Sequence, residues 1–271
     1  MTTGSDWREA VGRTWAQNFR LTDRSFAGLT ERLLARIGNC AGQNVIDIGC
    51  GAGELSIAVA RGNSSANVIG LDVSPMLVAT AAQRGAEHPN LQFEEADAGS
   101  WIRPGFAADK LISRHGVMFF DAPRGAFSHL REIARPGAEL IFTCFRSPQE
   151  NPWASELARL LKVPASTDPY APGPFAFAEE SHVRAILGDA GWQDVEMVPA
   201  DFAYVAGVGD DPVADALEFF QRIGPAAAVL RGLEGEAREQ ALGQVREWLA
   251  RHRSGNLVAL AGAAWIVTAK A

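Results

Sequence analysis

Cysteine is scarce in this chain, and its spacing does not suit a metal site. Cys40, Cys50 and Cys144 are the three cysteines among 271 residues, and no two of them stand at the spacing of a zinc-ligand pair. An odd number of cysteines without a recognisable signal peptide is typical of a reducing cytosol. We therefore expect a cytoplasmic protein with neither a metal site nor a disulfide framework.

Long apolar runs and clusters of positive charge are also missing. The most apolar stretch, Leu257 to Ala269, is shorter than the roughly 20 residues that span a bilayer, and it is predicted to be a strand. The formal net charge is −7 and no run of lysine and arginine exceeds two residues, whereas a nucleic-acid surface needs clustered positive charge. These absences exclude membrane insertion and a nucleic-acid partner from the expected functions.

The composition that remains is typical of one packed α/β domain. Apolar residues make up 47% and charged residues 21% of the chain, which suffices for a large core with additions. We expect a single domain over 1–271, with a pair of N-terminal helices in 1–40 and a ligand-binding core in 41–146. Two insertions, 147–178 and 210–254, are expected to form lids over the ligand, because prolines crowd the first of them and disfavour regular structure there.

The most informative segment is a strand that ends in a glycine-rich turn. After the apolar run Val45–Ile48, the glycines Gly49, Gly51 and Gly53 alternate before helical periodicity resumes at Glu54. A dinucleotide fingerprint would need the spacing G-x-G-x-x-G, and the carboxylate at position 54 disfavours a diphosphate at the helix start. The turn therefore favours a nucleotide-like ligand that has a positive centre and no phosphate.

Strand and helix signals alternate along the rest of the chain. Ser74 with Pro75 marks one helix start, Asp121 is predicted to cap another helix, and Pro136-Gly137 is predicted to end it. The later strands are predicted at 91–93, 110–113, 139–145, 195–198 and 263–269. This order predicts an α/β fold, a doubly wound, mostly parallel sheet of seven strands whose last strand is antiparallel.

Four segments together resemble the class I (Rossmann-like) S-adenosylmethionine-dependent methyltransferases, in particular their quinone-biosynthesis and small-molecule branch. The glycine turn resembles motif I, and the segments around Asp72, Asp97 and Arg114 resemble the second, third and fourth strands of that family. The passage usually written R-x-L-x-P-G-G before strand five has alanine at its second glycine, Ala138. The resemblance covers roughly residues 40 to 150.

The resemblance implies S-adenosylmethionine as the cofactor and names the residues that would bind it. Asp72 would bind the ribose hydroxyls, Asp97 the adenine amino group and Asp47 the methionine ammonium. Further contacts are implied for Trp15, Gly49, Cys50 through its N–H, Gly51, Gly53, Val73, Met76, Ala98 and Arg114. Trp15 has a competing interpretation as a core residue, and the Arg114 guanidinium could bind a substrate anion or pair with an acid of the site.

On the acceptor side, His115 has two interpretations. It follows strand four, where this family places the substrate, and a titratable imidazole there could act as a general base. His115 could equally be a residue that only shapes the pocket, because the sequence shows no acid or other residue that would assist it as a base. Predicted substrate contacts are His115, Phe119, Arg146, Asn151 and Trp153, of which Phe119 could instead belong to the core.

These features predict methyl transfer to a small-molecule acceptor by direct in-line displacement, which needs no metal. Methylation of oxygen, nitrogen or carbon stays open, and the sequence is compatible with a homodimer without fixing the oligomeric state. Two alternatives are a nicotinamide-dependent oxidoreductase, which the glycine spacing disfavours, and a protein that binds S-adenosylmethionine without turnover.

Overall fold

The described part of the chain, in a computed structural model, comprises residues 4–164 and 167–271. Predictions that include residues 1–3 of the N-terminal segment or 165–166 of the first insertion lie outside these ranges at those positions.

One mixed β-sheet runs through the described residues. Its strands are β1 (Asn44–Ile48), β2 (Asn67–Asp72), β3 (Leu91–Glu95), β4 (Ala108–Arg114), β5 (Ala134–Phe145), β6 (Gln193–Val208), β7 (Arg253–Ser254) and β8 (Leu257–Lys270). They lie in the order β3-β2-β1-β4-β5-β8-β6, and β7 pairs with β8. Strands β1, β2, β3, β4 and β5 are parallel to one another, and β8 is antiparallel to β5 and β6. The predicted doubly wound sheet with an antiparallel last strand is confirmed, with β8 inside the sheet and β7 as a short additional strand.

Helices cover both faces of this sheet. They are α1 (Gly4–Arg8), α2 (Ala10–Gln17), α3 (Phe19–Ile37), α4 (Glu54–Gly62), α5 (Pro75–Arg84), α6 (Pro123–Glu132), α7 (Pro152–Leu160), α8 (Glu180–Asp189), α9 (Pro212–Arg222), α10 (Pro225–Arg231) and α11 (Gly235–Arg251). Because both faces are covered, the central strands are almost continuously apolar, and Val45, Ile46, Val68 and Ile69 are fully buried. None of the described helices combines the length and the apolar character needed to cross a membrane.

The order of the strands reverses at β1, and this reversal places the ligand crevice. From β1 the chain builds β2 and β3 on one side, and β4 then lies on the other side of β1. The turns that follow β1 and β4 therefore meet, so closely that a Cβ added to Gly49 would lie 2.8 Å from the Cα of Gly116. Ligands of doubly wound sheets bind in the crevice at such a switch point.

The helix predicted to begin after Asp121 and to end at Pro136-Gly137 differs from the prediction at both ends. Helix α6 has Ala122 at its N-cap position with no side-chain hydrogen bond, so the Asp121 cap is wrong. The helix ends at Glu132, and β5 already begins at Ala134, where it pairs with Ala108. Pro136 and Gly137 therefore lie in an irregular first part of a strand, because tertiary pairing with β4 outweighs the local helix-stop signal.

Within the described residues, neither of the two predicted insertions lines the crevice. In their described residues, α7, α9, α10 and α11 pack on one another and on the long pair β6–β8, and Trp248 Nε1 donates a hydrogen bond to Glu156 at 2.6 Å. Their apolar residues bury themselves there, as Phe219 does by packing on Tyr204 with 5.9 Å between ring centres. The extension of β6 to Val208, beyond the predicted strand at 195–198, supplies much of this surface, and local sequence patterns do not show it.

The N-terminal segment folds as three helices instead of the predicted pair, because the chain breaks at Glu9 and at Asn18. Helix α2 crosses the start of α5, and its Gly12 lies so close that a Cβ there would meet the Ser74 side chain. This contact places α1 and α2 over the switch-point crevice, where the insertions had been expected.

Candidate active site

The glycine turn after β1 is open toward the crevice. Gly49, Gly51 and Gly53 have φ values of +63°, +56° and +86°, a region that side chains rarely adopt. A Cβ added to Gly51 would meet no protein atom within 4 Å. Space beside the turn is therefore free for a ligand, and a side chain at position 51 would take it.

A cavity of about 560 Å³ lies at the carboxyl ends of the parallel strands. Its wall is formed by the turns after β1 to β4, by the start of α6, and by aromatic residues of α1 and α2. The predicted site residues among its lining are Trp15, Gly49, Gly51, Asp72, Val73, Asp97, Ala98, Arg114, His115 and Phe119. The volume is in the range of small-molecule and cofactor sites.

Asp72 combines a local role with a position on the cavity. Its Oδ2 accepts a hydrogen bond from the Gly51 N–H and its Oδ1 accepts one from the Ser74 N–H, each at 2.9 Å. Ser74 itself caps α5 by accepting from the Leu77 N–H. Burial raises the pKa of Asp72, and the backbone amides act against that rise. Because a carboxylate accepts about four hydrogen bonds, Asp72 retains capacity for a ligand.

Among the residues predicted to bind the adenosyl part of the cofactor, some line the cavity and one does not. Asp97 lies on the cavity and accepts a hydrogen bond from the Gly99 N–H at 2.8 Å, next to the buried Ala98. Met76, in contrast, is 44% exposed and is not part of the lining, so the predicted contact from Met76 is not supported. It lies on the outer face of α5, a distinction that the spacing after Asp72 does not reveal.

A smaller cavity of about 60 Å³ adjoins the first, sharing Trp15, Gly49, Gly51 and Arg114 with it. Its lining includes Cys50, whose N–H donates to the Leu71 carbonyl at 2.9 Å and is therefore not free for a ligand, contrary to the prediction. Burial and the charges of Asp72 and Asp47 raise the pKa of the Cys50 thiol, which stays neutral. Cys50 is a small wall residue.

Asp47 also lines the smaller cavity and is 1% exposed. Its Oδ2 accepts a hydrogen bond from Ser56 Oγ at 2.5 Å, whereas its Oδ1 has no partner among the described residues. Burial, as the largest cause, raises the pKa of Asp47 to about 7, and the Ser56 hydrogen bond acts against that rise. A buried acceptor without a partner is costly and indicates a missing ligand or ion.

Asp47→Asn should stabilise the ligand-free protein as the pH rises. The unfolded carboxyl ionises near pH 4, whereas the folded one stays protonated until about pH 7, so the penalty grows between these values and persists above them. At one pKa unit per 1.36 kcal/mol, the penalty is on the order of 4 kcal/mol. Urea unfolding should show little gain for the variant at about pH 4 and the largest gain at about pH 8.

The matched control is Asp194→Asn, which removes a carboxylate whose side chain is 69% exposed. Its stability difference from the wild type should be small and nearly independent of pH. An Asp47→Asn gain that is equal at both pH values would contradict the burial of an ionising carboxyl.

Arg114 is engaged by the acids around it. Its Nη1 donates to Glu54 and, at 2.8 Å, to Thr30 Oγ1, and its Nη2 lies 3.9 Å from Asp23. Burial raises the pKa of Glu54, and the Arg114 charge partly offsets this. Of the two interpretations of this guanidinium, the structure shows the pairing with an acid of the site.

His115 is 8% exposed and adopts φ = +64°, which is unusual for a side chain of this size. Its ring stacks on Phe145 with centroids 4.0 Å apart, and neither ring nitrogen has a hydrogen-bond partner among the described residues. Burial, together with the Arg114 charge, lowers the pKa of His115 well below its usual value. The imidazole is therefore neutral near pH 7 and a weak base.

The similarity to known proteins matches this geometry. A family model described as a methyltransferase domain matches residues 45–137, the segment that carries β1 to β4 and the turns of the cavity. The chain is 29% identical over 112 residues to a malonyl-[acyl-carrier protein] O-methyltransferase of Paenibacillus sp. (strain JDR-2), with 40% of this chain and 41% of that protein covered. Residues 45–137 of the chain therefore match a methyltransferase domain.

One further relative and one solved structure extend the similarity of the chain beyond that segment. A trans-aconitate 2-methyltransferase of Paracidovorax citrulli (strain AAC00-1) is 28% identical over 260 residues, covering 88% of this chain and 93% of that protein. The Haemonchus contortus phosphoethanolamine N-methyltransferase 2 in complex with S-adenosyl-L-methionine has a TM-score of 0.59 at 15% identity, covering 97% of this chain and 59% of that chain. At that identity the likeness concerns the fold.

Several residues that line the cavity were not predicted from the sequence. Trp7 and Arg8 line it from α1, and Trp7 packs edge-on against Trp15 and Phe119 at 5.2 and 5.0 Å. The signal was present, since Trp7 shares a helical face with Trp15 in the sequence. Phe120 and Asp121 also line the cavity, but position 121 had been explained as a helix cap.

Three predicted substrate contacts lie outside the cavity. Asn151 is fully buried and bonds to the backbone of Ala263, while Trp153 stacks on Tyr204 at 5.0 Å. Arg146 forms ion pairs with Asp201 and Glu150. None of the three is part of the lining, because the chain after β5 turns toward β8 and away from the crevice.

Proposed function

We propose that this protein transfers the methyl group of S-adenosylmethionine to a small-molecule acceptor by direct in-line displacement. The observation that carries the proposal is the convergence of the open Gly51 turn, Asp72 and Asp97 on one cavity. These groups stand at the carboxyl ends of β1, β2 and β3, so one adenosyl ligand can reach all of them.

The residues present fit the cofactor in charge and in space. Asp72 has acceptor capacity left for ribose hydroxyls, and Asp97 is free to accept from the adenine amino group. The partnerless Oδ1 of Asp47, at the smaller cavity, matches a cationic methionine end. When bound, the cofactor supplies a methyl group that is already activated by its sulfonium.

The remaining work of the protein is to align the acceptor and to exclude water. Helices α1 and α2 cover the cavity with Trp7 and Trp15. Alignment of two reactants contributes on the order of 7 to 11 kcal/mol. A weakly basic His115 in the wall is compatible with an acceptor that needs no strong base.

A small acceptor is supported by the size of the cavity and by the names of the relatives. The whole cavity measures about 560 Å³, so an adenosyl ligand leaves room in it for a compact molecule beside the aromatic walls. One curated relative is named for trans-aconitate, a small organic acid, whereas the other is named for a malonyl group on an acyl-carrier protein. The first of these names supports a small acceptor. Three free, buried cysteines support work in the reducing cytoplasm. The net charge of −7 disfavours a nucleic-acid partner. Light scattering on the purified chain measures whether it is a homodimer.

The test is selective stabilisation followed by turnover. S-adenosylhomocysteine at about 100 times its Kd should add about 2.7 kcal/mol to the free energy of unfolding, and NAD should add nothing. Transfer of labelled methyl to a small-molecule pool would then establish catalysis. Stabilisation by NAD would instead support an oxidoreductase, and binding without transfer would support a non-catalytic binding protein.

A further inference from the structure

The imidazole of His115 has polar atoms without hydrogen-bond partners among the described residues, and the proposed cofactor contacts do not involve them. Both ring nitrogens are buried and without a partner, and the backbone is held at positive φ. Each of these features costs free energy in the ligand-free protein. A neutral imidazole offers one N–H donor and one acceptor, so a polar group of a ligand would recover part of that cost.

The ring of His115 can exchange the positions of its nitrogens and carbons while it keeps its stack on Phe145. A half-turn about the Cβ–Cγ bond keeps the ring plane on Phe145 and exchanges each nitrogen with a ring carbon. The exchange breaks no hydrogen bond, since the ring makes none among the described residues. His115 lines the cavity, and its ring N–H is not committed to any described group.

The same cavity holds one more group that suits an anion. Two arginines line it, and the charge of Arg114 is already matched by Glu54. Arg8, exposed on α1, makes no ion pair with any described residue and leaves its guanidinium free. Asp72, Asp97 and Asp121 line the cavity as well, so an anionic acceptor would need this cation to enter.

We propose that the acceptor is a carboxylic acid, whose carboxylate is held by Arg8 and by the ring N–H of His115. This inference rests on the proposed function. A carboxylate oxygen attacks the methyl carbon, the new O–C bond forms as the C–S bond breaks, and the electron pair of that bond goes to sulfur. An anion and a sulfonium cation become a neutral ester and a neutral thioether, and no proton is transferred.

The absence of proton transfer matches the groups that face the acceptor. An alcohol would have to lose its proton to a base, and His115 is a poor base because burial lowers its pKa. Asp72, a carboxylate on this cavity, already accepts from two backbone amides and is assigned to the cofactor. A carboxylic acid arrives ionised near pH 7, so donors and a cation suffice.

The chemical bond in the product tests the class of acceptor. The full-length protein is given S-adenosylmethionine with a labelled methyl group, together with benzoic, phenylacetic and glutaric acids, their amides and their alcohols, and the protein-free small-molecule fraction of a bacterial lysate. Methyl esters release volatile labelled methanol in alkali, so base-labile label supports the inference. Label that stays bound in alkali overturns it while leaving methyl transfer intact. No transfer at all overturns the proposed function and this inference together.

Variants of Arg8 and His115 test the roles of these two residues. Their kinetics are measured with the acid that accepts the most labelled methyl. Arg8→Ala should raise KM about 10-fold or more, with partial rescue in Arg8→Lys, and His115→Phe should lower kcat/KM about 10- to 100-fold. His115→Gln, which can still donate, should recover part of that loss, and S-adenosylhomocysteine affinity should stay unchanged in all four variants.

The control is Arg13→Ala, which removes an exposed arginine of α2 outside the lining. An equal effect of Arg13→Ala would contradict the role of Arg8, and His115→Gln as inactive as His115→Phe would contradict that of His115.

Discussion

Gly51→Val is expected to abolish binding of S-adenosylhomocysteine in a protein that still folds. The added side chain meets no protein atom near its Cβ and therefore occupies the space beside the turn that the ligand needs. Its φ of +56° adds strain of about 1–2 kcal/mol, less than the stability of a typical domain. Calorimetry should show a loss of affinity of about 100-fold or more, equivalent to about 2.7 kcal/mol.

Gly105→Val separates backbone strain from lost ligand space. Gly105 has a similar φ of +75°, has nothing within 4 Å of an added Cβ, and lies outside the cavity lining. The variant should lose a comparable amount of stability and keep its affinity. Wild-type affinity in Gly51→Val would show that the cofactor does not pass over this turn.

Asp72→Ala should weaken S-adenosylhomocysteine binding by about 1.5–3 kcal/mol, the range for hydrogen bonds to a charged group, or about 10- to 150-fold. The carboxylate also accepts from the Gly51 and Ser74 amides, so some stability should be lost as well. Calorimetry gives the affinity, and urea unfolding of the ligand-free protein gives the stability.

A modified ligand distinguishes two roles of Asp72, which are binding of the ribose hydroxyls and support of the glycine turn after β1. If Asp72 accepts from the ribose hydroxyls, the wild type should bind 2′-deoxy-S-adenosylhomocysteine more weakly than the parent compound, and Asp72→Ala should bind both equally. This compares a residue and its partner group as a double-mutant cycle does. A variant that still discriminates between the two ligands would assign Asp72 to the turn alone.

Most of the cofactor end of the cavity was predictable because its signals are local. The alternating glycines at 49, 51 and 53 take positive φ as expected, and Ser74 caps α5 as its neighbour Pro75 suggested. Chain geometry then brings Asp72 and Asp97 to the same edge, because both follow parallel strands of one sheet.

The acceptor end was predicted less well because it depends on distant packing. Asn151 and Trp153 follow β5 in sequence, yet Asn151 bonds to Ala263 of β8 and Trp153 stacks on Tyr204 of β6. Tyr204 lies in the part of β6 beyond the predicted strand at 195–198. Trp7 and Arg8 reach the cavity only because Gly12 lets α2 approach Ser74. Neither contact leaves a signal in the neighbouring residues.

The sequence by itself determined the fold class, the turn after β1 and the acids around it, since these depend on short-range backbone chemistry and on the alternation of strands and helices. Only the tertiary structure decided which segment covers the cavity, which cation is free and which imidazole has no partner. The reason is that burial and pairing are properties of groups far apart in the chain, and they are fixed only when the packed elements bring those groups together.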